Sequence, residues 1–411
     1  MMQGTARAAW SLVDQVLVSA RNFLLLFIVI RSMSSADVGT FGLVYASFFF
    51  LLALVRGLAG DPLVVRSSGL DEAAWRAQLG DSGGAVIVVG SASAVLLCAG
   101  GLAYDATLAR AIAALGVALV PLLLQDHLRL GLFAQGRPRS ASANDAFVLV
   151  AQMAGAGALA VQGRIDVVSI ILLWGASAVA GVLIGVRQCG TGPRLSAWRR
   201  WFADQRDLAP AFAADAVANR GTEQVSNMIL SAISGLPALG ALTAARTLFA
   251  PLTTVQTGVN AFLMPEVARR IRTAQTAGVN AVVASASAAM GAFMVVMGIA
   301  LWLVPDAVGR WAFSDNWAPA HAVLAPMTVF SCANAISFGY WAGLKAKQRA
   351  RRTLLIRSCG GIAQIAFVSG GARLGGVSAA IWGMAAAAVL TAGWLSWEFH
   401  TVRQEDKQCI S

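Results

Sequence analysis

Long apolar runs separated by short polar breaks fill almost all of this 411-residue chain. Apolar side chains make up 57% of the residues and charged side chains 12%, against about 45–50% and about 25% in ordinary soluble domains. A helix needs about 20 apolar residues to cross the hydrocarbon core of a bilayer. The sequence therefore predicts an all-α polytopic membrane protein, and it excludes a soluble globular enzyme, a disordered protein and a coiled coil. Twelve spans are predicted, at 10–30, 38–58, 82–103, 108–126, 144–163, 166–186, 208–233, 238–264, 277–304, 320–344, 353–371 and 376–398.

The basic residues cluster in alternate loops. The loops after spans 2, 4, 6, 8 and 10, together with the two chain ends, hold 22 Lys and Arg, whereas the loops on the other side hold 5. Cytoplasmic loops of membrane proteins are enriched in Lys and Arg. The asymmetry therefore predicts cytoplasmic termini and an even number of spans. It also accounts for the net charge of +11 without a nucleic-acid partner.

The two halves of the chain resemble each other. Aligning Gly39 with Gly240 gives an offset of 201 residues, and aligning Pro62 with Pro265 gives 203. Each half then has six spans in the same orientation, as in transporters built from parallel repeats with a pseudo-twofold axis along the membrane normal. We expect six-helix lobes at 1–190 and 208–411.

The segment 191–207 joins the predicted lobes, and its residues 196–207, SAWRRWFADQRD, form an amphipathic pattern. At 100° per residue, Trp198, Trp201 and Phe202 share one face, while Arg199 and Arg200 take the other. Such a helix is expected to lie in the membrane interface with its aromatic face toward the acyl chains. An ordinary linker helix is the alternative.

Six charged residues fall inside predicted spans 1, 7 and 8. Each costs about 2.5–3.5 kcal/mol on insertion scales, so such residues tend to be paired and to face a cavity. Their helical phase places them on polar faces of these spans. Spans 1 and 7 are the first helices of the two repeats, and span 8 directly follows span 7. The predicted cavity residues are Asp14, Arg21, Asp215, Asn219, Arg220, Glu223, Gln224, Asn227 and Arg246.

The three arginines of this set suggest an anionic substrate. A guanidinium group binds phosphate oxygens bidentately, so a cavity with Arg21, Arg220 and Arg246 suits a diphosphate. Arg246 is the strongest candidate, because its own helix has no acid at i±3 or i±4. The alternative is that Asp14–Arg21 and Arg220–Glu223 are structural ion pairs.

The five cysteines form no CxxC motif, so no metal site, disulfide framework or cofactor is predicted.

Two segments carry a resemblance to a known family. SSADVGTFGLVYASFFFLLALVRGLAGDPLVVR resembles the first hairpin of the polysaccharide transporter family, the Wzx-like lipid-linked oligosaccharide flippases. NMILSAISGLPALGALTAARTLFAPLTTVQTGVNAFLMPEVARR resembles the seventh and eighth spans of that family, although Leu242 and Thr243 stand where relatives often have Tyr. The family belongs to the multidrug/oligosaccharidyl-lipid/polysaccharide (MOP) superfamily.

The resemblance implies a function in the bacterial plasma membrane. The headgroup of a polyprenyl-diphosphate-linked oligosaccharide would cross a cleft between two lobes by alternating access, for the synthesis of O-antigen or another exopolysaccharide. Arg21 and Arg246 would neutralise the diphosphate, and Arg220 would assist. An H⁺ or Na⁺ gradient would drive transport, with Asp14, Asp215 and Glu223 as candidate coupling residues. Polysaccharide polymerases and glycosyltransferases are the expected partners, and no enzymatic activity is expected.

Two other classes remain open. A drug/cation antiporter of the same superfamily would share the fold but would favour a net acidic cavity. A polytopic polysaccharide polymerase or ligase usually has a large outer loop, whereas the longest one here, 305–319, has about 15 residues.

Overall fold

A computed structural model describes residues 2–67, 69–272, 279–346 and 350–408 of the chain. The elements of this part are helical, which confirms the all-α polytopic fold. The helices are α1 (Met2–Ser32), α2 (Ser35–Val55), α3 (Asp61–Ser67), α4 (Glu72–Gly101), α5 (Ala106–Ala134), α6 (Pro138–Val161), α7 (Val167–Cys189), α8 (Trp198–Asp204), α9 (Ala209–Ser234), α10 (Leu236–Arg272), α11 (Val279–Trp302), α12 (Asp306–Phe313), α13 (Trp317–Ala322), α14 (Leu324–Ala346) and α15 (Ala350–Gln408). A π-helical turn, Arg56–Gly60, joins α2 to α3.

Fewer helices than the twelve predicted meet a strict length-and-hydropathy standard for a membrane span. Among the described residues there are eight, or nine if the bent pair Asp306–Ala322 and Leu324–Leu344 forms one span. Predicted spans 11 and 12 both lie in α15, which breaks at Gly375 and Gly376, where the φ of Gly376 is +66°. Predicted spans 7 and 8 are helical as α9 and α10. Within the described residues of α10, the apolar helix Leu236–Leu252 is shorter than the 18 residues that the standard requires.

The chain divides into two compact units. The first unit comprises Met1–Met33 and Thr40–Gln224, and the second comprises Ser34–Gly39 and Val225–Ser411. In the first unit, α5 packs against α4 and α7, and α6 packs against α1 and α7. In the second, α14 packs against α10, α11 and α15. The predicted lobe boundaries, 1–190 and 208–411, stay a prediction.

The aromatic side of α8 faces protein within the first unit. Trp201 is only 3% exposed and packs in a cluster with Leu63, Trp75 and Leu128. Its Nε1 donates a hydrogen bond to the Leu58 carbonyl oxygen at 3.3 Å. The expectation that this residue faces acyl chains is therefore wrong. The apolar part of the ring packs in a buried protein cluster, and the indole N–H has a hydrogen-bond acceptor there.

Polar contacts hold the segment around α8 against the first unit. Arg200 donates to the Asp81 carboxylate, and the Arg66 guanidinium pairs with Asp207 at 2.6 Å. The backbone N–H of Arg194 donates to the Gly80 carbonyl oxygen at 2.7 Å. A Cβ on Gly84 would overlap the Arg194 carbonyl oxygen. The predicted linker is thus docked on α4, and its assignment as a membrane-interface helix stays a prediction.

The start of α7 carries a side-chain cap. Asp166 accepts hydrogen bonds from the backbone N–H groups of Val168 at 2.9 Å and Ser169 at 3.0 Å, and from Ser169 Oγ at 2.6 Å. Partial burial acts to raise the pKa of this carboxyl, but the hydrogen bonds outweigh it and the pKa lies below its ordinary value.

Loss of this cap has a pH-dependent cost. Asp166→Ala should lower the free energy of unfolding by about 1 kcal/mol at pH 7. Because the folded pKa is depressed, the stabilisation is complete above the unfolded pKa of about 3.9 and is lost as the pH falls through the folded value. Unfolding of detergent-purified protein at pH 7 and pH 3 tests this. A deficit that is as large at pH 3 as at pH 7 would contradict it.

Two glycines meet in the second unit with reciprocal geometry. A Cβ on Gly39 would overlap the Leu236 carbonyl oxygen, and a Cβ on Gly240 would overlap the Ser35 carbonyl oxygen. Both residue pairs, 39 with 240 and 35 with 236, differ by the 201 residues of the sequence repeat. Contacts in which i touches j and j touches i are typical of a twofold axis. The crossing therefore supports a local pseudo-twofold relation between the starts of α2 and α10.

This crossing should tolerate no side chain. Gly240→Ala is expected to destabilise the protein by about 1–3 kcal/mol through overpacking against a backbone carbonyl. The matched control is Gly393→Ala, since a Cβ there meets nothing within 4 Å and alanine is favoured in a helix by about 1 kcal/mol. Unfolding temperatures of the two variants measure the difference. Equal or higher stability of Gly240→Ala would show that the close approach is absent.

Candidate functional site

One guanidinium group holds three carboxylates inside the first unit. Arg129 on α5 donates through Nε to Asp14 Oδ2 of α1 at 2.9 Å. The same Nε lies 2.9 Å from Asp145 Oδ2 of α6, and Nη1 lies 3.5 Å from Asp126 Oδ1. All three aspartates are buried. Arg129 therefore neutralises acids from three helices at one point.

Further side chains complete the charge balance. Arg21 Nη1 lies 3.4 Å from Asp145 Oδ1, which also accepts a hydrogen bond from Gln125 Nε2 at 2.8 Å. Arg56 binds Asp126 bidentately, at 2.7 and 2.5 Å. We call this set the Arg129 network: Asp14, Arg21, Arg56, Gln125, Asp126, Arg129 and Asp145. With three arginines and three aspartates it is formally neutral, as expected for charges removed from water.

The sequence prediction found only part of this network. The alternative to a cavity role was an ion pair between Asp14 and Arg21, but Asp14 pairs with Arg129 and Arg21 pairs with Asp145. Arg129 and Arg56 were counted among the 22 basic residues of the cytoplasmic loops and chain ends. The structure places both in helical segments and not in loops, because α5 continues to Ala134 and the helical path from α2 continues to Ser67. The side of the membrane on which they lie stays a prediction.

Two members of the network, Asp126 and Asp145, were not singled out. The missed signal is the sequence LQDHLRLGLFA, in which apolar residues resume after the charged ones. That pattern indicates that the helix continues beyond Arg129.

A second set of candidate residues surrounds Tyr45 on α2, still within the first unit. Tyr45 lies within electrostatic range of the guanidinium groups of both Arg21 and Arg220. Its ring stacks on Trp174 with a centroid distance of 5.5 Å. Ser47 lies two residues after Tyr45 on α2, and its Oγ accepts a hydrogen bond from Gln224 Nε2 at 2.8 Å. We call Arg21, Tyr45, Ser47, Arg220 and Gln224 the Tyr45 surface.

Arg220 is the more accessible of the two arginines of the Tyr45 surface. Its side chain is 54% exposed and lies 3.3 Å from Glu223 Oε2, as the predicted ion pair requires. Asp215 is also exposed, and it lies within electrostatic range of the Asp61 carboxylate on α3. The side chain of Asn219 lies outside the described residues.

Arg246 occupies a different place, inside the second unit. Its Nη1 donates to Asn227 Oδ1 at 3.0 Å, and its Nη2 lies 3.7 Å from Met384 Sδ. Asn227 is buried, and with Met384 and Ser226 it lines a small cavity among α9, α10 and α15. Two predicted cavity residues, Arg246 and Asn227, are therefore in direct contact.

Comparison with known proteins shows the fold. No family model and no curated protein matches the chain. An inward-facing multidrug-resistance MATE transporter of the MOP superfamily matches with a TM-score of 0.72 and 11% identity, over 95% of this chain and 96% of that one.

Two further solved structures have different reported functions. The lipid II flippase MurJ, in an inward closed conformation, matches with a TM-score of 0.74 and 10% identity, over 96% and 87% of the two chains. A MOP-superfamily transporter from Pyrococcus furiosus, described as having a binding pocket of reverse polarity, matches with a TM-score of 0.60 and 12% identity, over 96% and 94%. Over nearly its whole length, this chain has the fold of the MOP-superfamily transporters.

Proposed function

We propose that the protein is a flippase that moves a polyprenyl-diphosphate-linked oligosaccharide from the cytoplasmic to the outer leaflet of a bacterial plasma membrane. Translocation would proceed by alternating access and would serve cell-surface polysaccharide synthesis, of the O-antigen or exopolysaccharide kind. The fold supports a transporter in general, since its neighbours include both a lipid flippase and drug transporters. The charges of the chain favour the flippase.

The observation that carries the proposal is the neutral Arg129 network. A cationic drug would need accessible carboxylates. Asp14, Asp126 and Asp145 are buried and already bound by arginines, and the more accessible Glu223 is paired with Arg220, which leaves the exposed Asp215 for a cation. Arg220 remains more than half exposed at the Tyr45 surface, and its guanidinium fork suits a diphosphate. Arg21 on α1 and Arg246 in the second unit are proposed to add positive charge along the path.

Coupling to an H⁺ or Na⁺ gradient is part of the proposal. Among the candidates, Asp14 is bound to the central arginine of the network, so its protonation would remove one of the three anions around Arg129. Asp215 and Glu223 are more accessible to water and stay candidates.

The experiment that tests the function is transport in proteoliposomes. Purified protein is reconstituted with a fluorescent polyprenyl-diphosphate oligosaccharide, and the fraction accessible to a membrane-impermeant quencher is followed over time. We expect the protein to move the lipid between leaflets. A parallel sample loaded with a lipophilic cation tests the drug/cation antiporter. Movement of the cation but not of the lipid would replace the flippase with that alternative.

Tyr45 gives a specific prediction for the Tyr45 surface. If its hydroxyl donates to the headgroup between Arg21 and Arg220, Tyr45→Phe should weaken headgroup binding by about tenfold, the value of one hydrogen bond to a charged group. The ring and its stacking on Trp174 are kept, so the unfolding temperature should not change. Tyr104→Phe, at an exposed position, is the control. Wild-type affinity of Tyr45→Phe would exclude the hydroxyl from the site.

A further inference from the structure

The connection between α11 and α14 runs across the direction of the spans. Asp306–Ala322, which contains α12 and α13, makes an angle of 76° with the following helix, Leu324–Leu344. Because α14 has 23 residues and is by itself long enough to cross a bilayer, a segment at this angle to it runs nearly parallel to the membrane plane. The predicted topology places it at the outer face, opposite the cytoplasmic termini.

One side of α12 is fixed against protein. Gly309 and Phe313 are buried, and a Cβ on Gly309 would overlap the Trp317 ring. Trp317 is itself buried, and its Nε1 donates to Asp306 Oδ1 at 3.0 Å. The following His321 makes a hydrogen bond of 3.1 Å with the Trp302 carbonyl oxygen at the end of α11. These contacts fix the rotation of α12 about its axis.

The opposite side of α12 is apolar and accessible. Val308 is 52% exposed and Trp311 is 69% exposed, and their i, i+3 spacing places them on one face. This face follows directly from the exposed stripe of α11, which the length and hydropathy of that helix assign to lipid. The stripe consists of Val295, Val296, Ile299, Trp302 and Leu303.

We propose that α12 is an interfacial helix bound to the outer leaflet of the bilayer. Val308 and Trp311 would enter the boundary between headgroups and acyl chains, where tryptophan is enriched in membrane proteins. Arg310, exposed on a flank of the same helix, would reach lipid phosphates. The occupant is the lipid surface because the apolar face is continuous with a lipid-facing stripe and because α12 runs along the membrane plane. This proposal does not depend on which substrate is transported.

Site-directed spin labelling in lipid nanodiscs tests the proposal. Single cysteines are placed at Val308, Trp311 and Asp315 in a variant whose five native cysteines are replaced, with Leu303→Cys as the lipid-exposed control. We expect labels at 308 and 311 to be reached by oxygen and protected from a water-soluble nickel reagent, at a depth of about 5–10 Å. The label at 315 should be accessible to the nickel reagent.

Two outcomes would overturn the proposal. Access of the nickel reagent to labels 308 and 311, equal to that at 315, would show that α12 stands in water. Protection from both oxygen and nickel would show that a second copy or another protein covers the face. If the cysteine-free variant does not fold, the native chain and its Trp311→Phe variant are compared for tryptophan quenching by brominated lipids. Loss of quenching with the substitution is then expected, and unchanged quenching would contradict the proposal.

Discussion

Arg129→Ala should lower the free energy of unfolding by about 3–5 kcal/mol, the cost of removing one partner from a buried ion pair. The effect is expected at the upper end of this range, because Arg129 contacts Asp14, Asp126 and Asp145 at once. Without it, three buried carboxylates would share Arg21 and Arg56. Unfolding of the detergent-purified protein, followed by tryptophan fluorescence, measures the loss.

A matched variant and a rescue separate this effect from the loss of any arginine. Arg164→Ala removes an exposed arginine and should change stability by less than about 0.5 kcal/mol. Adding Asp14→Asn to Arg129→Ala should restore part of the loss, since one uncompensated charge is removed. If Arg129→Ala is as stable as Arg164→Ala, the network does not stabilise the first unit.

Arg246→Ala and Arg21→Ala should each abolish lipid transport while the protein still inserts and purifies as a folded species. Each would remove a charged hydrogen-bond donor worth about 1.5–3 kcal/mol, which corresponds to about tenfold to a hundredfold in headgroup affinity. Arg246→Lys should recover part of the activity, because the charge is kept but the bidentate fork is lost. The fluorescent-lipid assay in proteoliposomes measures all three variants.

The control for this series is Arg164→Ala, which should transport like the wild type. Size-exclusion profiles and unfolding temperatures identify any variant that fails by misfolding. Normal transport by both alanine variants would show that the proposed cationic path is wrong. Loss of transport in Arg21→Ala alone would confine the substrate contact to the first unit.

The sequence predicted the helices well because length and hydropathy decide membrane insertion segment by segment. The polar faces of α1 and α9 follow from helical phase, which depends on local sequence, and their assignment to a cavity stays a prediction. Partners across helices were not predictable in this way. Asp14 and Arg21 share a face of α1, but Asp14 binds Arg129 and Arg21 binds Asp145, more than 100 positions away in the sequence.

Two misassignments have identifiable physical causes. Counting arginines by loop placed Arg129 in a loop and not in a helix, because a charged cluster near the end of an apolar run looks like the start of a loop. The α8 helix was correctly expected to have an aromatic face. Amphipathicity indicates that such a face avoids water, but it does not distinguish lipid from a protein cluster such as the one around Trp201.

The central claim is that this chain recognises a lipid-linked diphosphate through arginine. The most direct test is binding of a polyprenyl-diphosphate sugar to the purified protein, compared between the wild type and Arg246→Ala over a range of salt concentrations. The flippase proposal predicts wild-type binding that weakens with salt and falls by about tenfold or more in the variant. Absence of lipid binding, with thermal stabilisation by lipophilic cations instead, would contradict it and would make Asp14, Asp215 and Glu223 the residues to test as a cation site.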